Sequence, residues 1–157
     1  MPPSRNSGIT KWVNIALRKS AGDQYQYAAE EWIPISAAMF ANTWIDAAPG
    51  SGEDVSSFMR DSFGWVHLRG RIKRGTPVGV VTAAETMFTL PVGYRPLFIT
   101  RWASLSGTSG AAVFQGMRIN AVTGAVAGQG PGTGGTDGAV TIGPMSFRVD
   151  VGDGLAT

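Results

Sequence analysis

This chain of 157 residues contains a single histidine, His67, as a candidate for acid–base chemistry. A Ser-His-Asp triad or a histidine-ligated metal site within one chain can use only this imidazole, although three copies around a threefold axis could in principle bring theirs together. The chain has no cysteine, which excludes thiolate catalysis and Cys-ligated zinc or iron. We therefore expect no metal and no cofactor.

The 11 acidic residues do not predict a catalytic pair. Hydrolysis of a glycosidic bond uses two carboxyl groups that face each other across a cleft. Glu30 and Glu31, like Glu53 and Asp54, are sequence neighbours whose side chains point apart. The glycine-rich run at 128–138 superficially resembles a phosphate loop, but it lacks the following Lys-Ser/Thr and the helix. We predict that the chain is not an enzyme, and a carbohydrate-acting enzyme is the least favoured alternative.

A basic stripe follows Trp65. The apolar residues Val66, Leu68 and Ile72 alternate with the basic residues Arg69, Arg71 and Lys73. Guanidinium groups pair with phosphates and carboxylates, so this basic face could bind an anionic glycan or nucleic acid. The alternative is the solvated or subunit-facing side of a strand, which we favour because strand alternation alone produces such a stripe. A net charge of +2 is too small to indicate nucleic acid, and we expect none as a partner.

Frequent turn residues favour short strands over helices. The chain has 22 glycines and 9 prolines, and about seven or eight short apolar runs follow one another at the spacing typical of an antiparallel sandwich. The sequence therefore predicts an all-β fold, an antiparallel β-sandwich or jelly-roll-like domain at 37–157. Within it, 65–73 is predicted as one strand, 104–110 as a loop, and 111–114 and 116–121 as separate strands.

Residues 1–36 are predicted to form a short N-terminal anchor, partly helical or extended. Asp23 is suited to cap a short helix through Tyr25–Trp32, which would end before Pro34. No run of about 18 uninterrupted apolar residues is present, and polar residues interrupt the apolar patch at 12–17. We expect no membrane insertion and no signal peptide.

Five motifs carry a resemblance to a known family. In chain order they are Asn42-Thr43-Trp44, Phe58-Met59-Arg60-Asp61, Gly64-Trp65-Val66-His67-Leu68-Arg69-Gly70 followed by Ile72-Lys73-Arg74-Gly75, Phe88-Thr89-Leu90-Pro91-Val92-Gly93-Tyr94-Arg95-Pro96, and Ile142-Gly143-Pro144-Met145-Ser146-Phe147. On these motifs the chain resembles the small β-sandwich domains that end tailed-bacteriophage fibres, baseplate receptor-binding proteins and related virion appendages. The resemblance covers residues 40–150, and the third and fourth motifs are its most specific part.

The resemblance implies a non-enzymatic, homotrimeric virion protein, assembled in the host cytoplasm and active outside the cell. A short segment precedes the sandwich where a long fibre would have repeats, so we expect a complete small appendage whose segment 1–36 docks on another virion structural protein. The expected role is that of a tail-tip, baseplate or fibre component that attaches to the host surface, with a surface glycan as a candidate receptor. A capsid or tail decoration protein, or a head fibre with a structural role only, is the alternative.

Two groups of residues are the expected contact sites. The anchor and subunit interface is assigned to the large apolar residues of the first segment: Trp12, Ile15, Leu17, Tyr25, Tyr27 and Trp32. Interface cores are enriched in such rings, although these rings could instead simply cover one edge of the sandwich. Exposed loops of an appendage can contact a receptor. The host-facing positions are assigned to Ser106, Gly107, Thr108, Gly132, Thr133 and Gly134.

Overall fold

Antiparallel β-strands make up most of the regular structure in this computed structural model. The structure describes residues 29–47, 52, 54–75, 85–107, 113–129 and 138–149, and the backbone of Arg18–Lys19 and Tyr25–Gln26. The strands are β1 (Arg18–Lys19), β2 (Tyr25–Gln26), β3 (Ile33–Pro34), β4 (Trp44–Asp46), β5 (Ser57–Arg60), β6 (Trp65–Arg69), β7 (Arg71–Arg74), β8 (Thr86–Thr89), β9 (Thr100–Ser106), β10 (Val113–Ile119), β11 (Ala125–Gln129), β12 (Ala139–Thr141) and β13 (Met145–Arg148). A 3-10 turn, Ala37–Met39, lies between β3 and β4. The all-β prediction is confirmed.

Two antiparallel sheets enclose the core. One has seven strands in the order β4-β7-β12-β9-β10-β11-β8, and the other has four in the order β13-β6-β5-β3. Among the described strands, β1 and β2 pair with each other. The seven-stranded sheet nearly closes on itself, because Phe40, just before β4, pairs with Phe88 of β8 and the N–H of Ala41 donates to the carbonyl of Met87 at 2.9 Å. This sheet is therefore close to a barrel.

A charged contact reinforces the closing seam between β4 and β8. The Arg74 guanidinium pairs with the Glu85 carboxylate, and the same carboxylate accepts a hydrogen bond from the indole N–H of Trp44 at 3.3 Å. Trp44 is only 2% exposed. The buried indole thus has a partner for its polar atom, as aromatic side chains in a core require.

The core is formed by the inward-facing residues of both sheets. The large side chains that are fully buried are Trp44, Phe58, Val66, Leu68, Ile72, Met87, Phe88, Leu90, Met117, Ile119 and Ile142. Each contributes on the order of 2 kcal/mol through the apolar area removed from water. The predicted alternation is confirmed at Val66, Leu68 and Ile72, which lie inside, and at Trp65 and Lys73, which lie outside.

The prediction of one continuous strand over 65–73 is wrong, because the chain changes sheets at Gly70. β6 belongs to the four-stranded sheet and β7 to the seven-stranded sheet. Gly70 has φ +97, and a Cβ at this position would lie 2.6 Å from the Cα of Ser56. Only glycine fits this corner without displacing backbone. The N–H of Ile142 donates to the Gly70 carbonyl at 3.0 Å, so the passage from β12 to β13 lies beside the same corner.

The N-terminal boundary and the predicted helix need correction. Tyr25–Gln26 is a strand and Ala29–Trp32 has no regular structure, while Ile33–Pro34 pairs with β5. Ile35 is buried in the core. The described sandwich therefore includes 29–36, which the sequence assigned to the anchor, because pairing with β5 outweighs a weak local helix preference.

Two other predicted boundaries are wrong. The predicted loop 104–110 begins too early, since β9 extends to Ser106. The two strands predicted over 111–121 are one strand, β10, because Gly116 continues the ladder instead of breaking it.

Candidate functional site

The two ends of the sandwich differ. At one end, which we call the chain-end pole, the described sandwich begins at Ala29 and ends at Val149. The N–H of Glu30 donates to the Arg60 carbonyl at 3.0 Å, and the N–H of Val149 donates to the Gly64 carbonyl at 3.2 Å. The turns 61–64, 91–99 and 120–124 lie at this pole.

The opposite end, which we call the loop pole, collects the ends of six strands. The N–H of Gly107 donates to the Ala139 carbonyl at 2.9 Å, and the N–H of Gly128 donates to the Glu85 carbonyl at 3.3 Å. Val113 pairs with Ser106. The connections β7–β8, β9–β10 and β11–β12 therefore all start and finish at this pole.

The predicted host-facing residues fall partly on the loop pole. Thr108, Gly132, Thr133 and Gly134 lie outside the described residues. The assignment of Ser106 to an exposed loop is wrong: its side chain is buried in β9, and its hydroxyl donates to the Ala139 carbonyl at 3.0 Å. Gly107 follows β9 directly and accepts a hydrogen bond from Arg71 at 2.7 Å.

Apolar side chains project into solvent at the chain-end pole. Val92, Phe98 and Val122 are 79%, 80% and 82% exposed. Val92, Leu97 and Val122 line an open depression of about 350 Å³. Arg95 fixes its walls by donating to the carbonyls of Val122 at 2.6 Å and Leu90 at 3.1 Å. Exposed apolar clusters of this kind mark contact surfaces.

A buried polar cluster holds the start of the described sandwich at this pole. Glu30 pairs with Arg60 at 2.7 Å and accepts a hydrogen bond from the Tyr94 hydroxyl at 2.5 Å. The Arg60 guanidinium lies over the Tyr94 ring, 5.4 Å from its centroid. Burial, together with the neighbouring Glu30 carboxylate, raises the pKa of the Tyr94 phenol, so its hydroxyl stays protonated and donates.

The predicted anchor residues can be located only in part. Trp12, Ile15, Leu17 and Tyr27 lie outside the described residues, and only the backbone of Tyr25 is described, in β2. Trp32 is described, and its ring stacks under the Arg69 guanidinium at 4.2 Å.

The predicted basic strand face is not a single surface. Arg69 lies on the four-stranded sheet and stacks on Trp32. Arg71 lies beyond the Gly70 corner on the seven-stranded sheet, where it donates to Gly107, and Lys73 is exposed on the same strand. The three cations are thus divided between two sheets, and the stripe read from the sequence does not form one anion-binding face.

The histidine belongs to a Ser-His-Asp hydrogen-bonded chain. His67 Nε2 lies 3.0 Å from Asp61 Oδ2, and His67 Nδ1 lies 2.8 Å from the Ser146 hydroxyl. Asp61 is itself held by the turn between β5 and β6, where its other oxygen accepts the N–H groups of Phe63 and Trp65, each at 2.9 Å. Burial raises the pKa of Asp61, but these hydrogen bonds from His67 and the backbone outweigh it and hold the pKa below its usual value.

Sequence reasoning identified His67 as the only possible imidazole but missed its two partners. Ser146 is 79 residues away along the chain, and only the pairing of β13 with β6 places it directly opposite His67. The signal for Asp61 was local, because an Asp at the start of a tight turn caps the backbone N–H groups that follow it.

Several other described carboxylates stabilise the fold. Glu30 and Glu85 pair with arginines as described above, and Asp46 accepts a hydrogen bond from the Ser56 hydroxyl at 3.0 Å. Across the described ranges, no group of three metal-ligating side chains comes together, and no helix is long and apolar enough to cross a membrane. No family model, curated protein or solved structure matches this chain.

Proposed function

We propose that this chain is a virion appendage protein that assembles as a trimer, docks through its chain-end pole and presents its loop pole to a host surface. The proposal rests on the structural difference between the two poles. The chain segments that flank the described sandwich meet it at the pole that carries Val92, Phe98 and Val122, and three connections start and finish at the other.

The chain-end pole has the properties of a contact surface. Phe98 and Val122 project into solvent there, and Val122 lines an open depression. Aromatic and aliphatic side chains concentrated at one place favour a protein neighbour. The partner we propose is first a second and third copy of the chain, and then another virion structural protein.

The loop pole is suited to recognition, because six strands of one sheet end on this surface and binding residues are often carried on the connections between strands. A trimer would present this surface three times, and many appendages on one particle would strengthen a weak glycan contact through multivalency. This role uses binding alone and needs no turnover. It agrees with the resemblance to phage receptor-binding domains and with a location on the virion.

The test compares two phenylalanines of equal exposure at opposite poles. Phe98 and Phe114 are both 80% exposed, the first in the segment before β9 and the second near the start of β10. Light scattering of the full chain should give a trimer mass for the wild type and for Phe114→Ser, and a monomer mass for Phe98→Ser. A monomeric wild type, or a trimeric Phe98→Ser variant, would contradict the docking assignment.

Adsorption of the fluorescently labelled trimer to candidate host cells distinguishes host attachment from a purely structural role on the particle. Saturable adsorption that glycan removal abolishes supports attachment. A stable trimer without adsorption to any host of the particle favours the decoration protein.

A further inference from the structure

A nucleophile, a base and an orienting carboxylate lie in hydrogen-bond contact on the outer face of the four-stranded sheet. We propose that Ser146 is a nucleophile that, with His67 as its base, accepts the acyl group of an ester and passes it to water. This activity goes beyond the attachment role, since Ser146 and His67 lie on a sheet face and do not line the apolar depression.

The hydrogen-bond directions follow from the carboxylate. Asp61, with its lowered pKa, is ionised near neutral pH and can only accept. Nε2 of His67 must therefore donate to Asp61, and the Nε2–H tautomer of the imidazole presents the lone pair of Nδ1 to the Ser146 hydroxyl at 2.8 Å. A serine next to an imidazole that is held by a carboxylate has the arrangement of an activated nucleophile.

The strand register explains why the side chains of Ser146 and His67 meet. The N–H of Val149 donates to Gly64 across the β13–β6 ladder. Ser146, three positions earlier, therefore occupies a non-hydrogen-bonded pair with His67, the type in which facing side chains are closest. In such a pair the N–H of Ser146 points away from β6, toward the outer edge of β13, where Pro96 pairs further along with Val149.

Two groups beside Ser146 could stabilise an oxyanion. The outward backbone N–H of Ser146 itself is one donor. Arg148 is the other: it is exposed two residues further along β13, on the same face and about 7 Å away along the strand. Trp65 lies opposite Arg148 and is 42% exposed. Nucleophile, base, cation and an apolar ring thus lie on one face of the ladder, in the pairs Ser146–His67 and Arg148–Trp65. Because Ser146 is exposed, a small acyl ester can reach it.

The reaction balances without a further reactant except water. The Ser146 Oγ forms a bond to the ester carbonyl carbon while its proton moves to His67 Nδ1. The tetrahedral intermediate collapses, the bond to the leaving oxygen breaks, and His67 protonates the released alcohol. Water then attacks the acyl-serine, gives its proton to His67 and releases the carboxylic acid as Ser146 recovers the proton.

The experiment uses the full chain with p-nitrophenyl acetate, and separately with a fluorophosphonate. We expect one acetyl group per chain in a pre-steady-state burst, and mass spectrometry should locate both adducts on the peptide that contains Ser146. Ser146→Ala should abolish both adducts and lower the turnover rate about 100-fold, as loss of a positioned acid–base pair does.

Two variants distinguish chemistry from structure. His67→Gln can still hydrogen-bond to both neighbours but cannot take a proton, so it should lose the burst while its thermal midpoint stays close to that of the wild type. Ser36→Ala removes an exposed serine whose side chain makes no capping bond, and it should react like the wild type. Adducts on other residues only, or equal rates for Ser146→Ala and the wild type, would overturn the proposal.

Discussion

Similar clusters of charged and aromatic side chains stabilise the two poles of the sandwich, but the clusters hold different parts of the chain. At each pole a carboxylate binds an arginine and the polar atom of an aromatic ring: Glu85 with Arg74 and Trp44 at the loop pole, and Glu30 with Arg60 and Tyr94 at the chain-end pole. The loop-pole cluster closes a sheet on itself.

The chain-end cluster fastens an incoming segment beside apolar side chains that lie in solvent. The loop-pole cluster therefore joins strands of one sheet, whereas the chain-end cluster holds the segment that enters the sandwich at Ala29.

The largest effect is expected at the loop pole. Glu85→Ala would leave Arg74 and the indole N–H of Trp44 without their carboxylate, and the Glu85 side chain is only 9% exposed. Breaking a buried pair from one side costs about 3 kcal/mol in the free energy of unfolding. Urea unfolding followed by tryptophan fluorescence measures it. Glu85→Gln retains an acceptor for the indole and should lose less; equal losses in the two variants would show that the acceptor contributes nothing.

A smaller loss is expected at the chain-end pole. Glu30→Ala also removes a shared carboxylate, but the Glu30 side chain is 22% exposed, so water can replace part of what Arg60 and Tyr94 lose. We expect a loss of about 2 kcal/mol. Glu31→Ala, at the exposed neighbouring position, is the matched control and should change stability by less than about 0.5 kcal/mol. A larger loss of unfolding free energy in Glu30→Ala than in Glu85→Ala would contradict this ranking of the two poles.

The smallest effect is a pH dependence at the chain-end pole. The folded pKa of Asp61 is depressed, so its contribution to stability is fully present above the pKa of an unfolded aspartate, about 4. The contribution is lost as the pH falls through the lower folded pKa.

The test compares thermal midpoints of the wild type and Asp61→Asn at a series of pH values. The difference should shrink as the pH falls below about 4. A difference that persists unchanged in acid would rule out the linkage.

The sequence predicted the parts of the fold that depend on local patterns. The alternation of Val66 and Leu68 with Trp65 and His67 predicted a half-buried strand, and the structure has one. The change of sheet at Gly70 was not predictable, because a glycine inside a strand pattern is equally compatible with a bulge, a bend or a weak position. Only the close approach of Ser56 decides between them.

The candidate sites were less predictable than the fold, since they depend on long-range pairing. Helix preference at 25–32 was overridden by the pairing of Tyr25–Gln26 with β1 and by the hydrogen bond from the Glu30 N–H to Arg60 of β5. The sequence predicted a loop at 104–110, but only the observed strand order places its ends beside those of the β7–β8 and β11–β12 connections. Ser146 had no local signal, because it becomes notable only when β13 lies beside His67.

The corner at Gly70 also has a consequence for dynamics. Two covalent passages between the sheets lie side by side there, β6 to β7 and β12 to β13, and the bond from Ile142 to Gly70 joins them. Neither sheet can open without pulling on a strand of the other. In native-state hydrogen exchange, the slowest amides of the two sheets should therefore share one opening free energy and behave as a single cooperative unit.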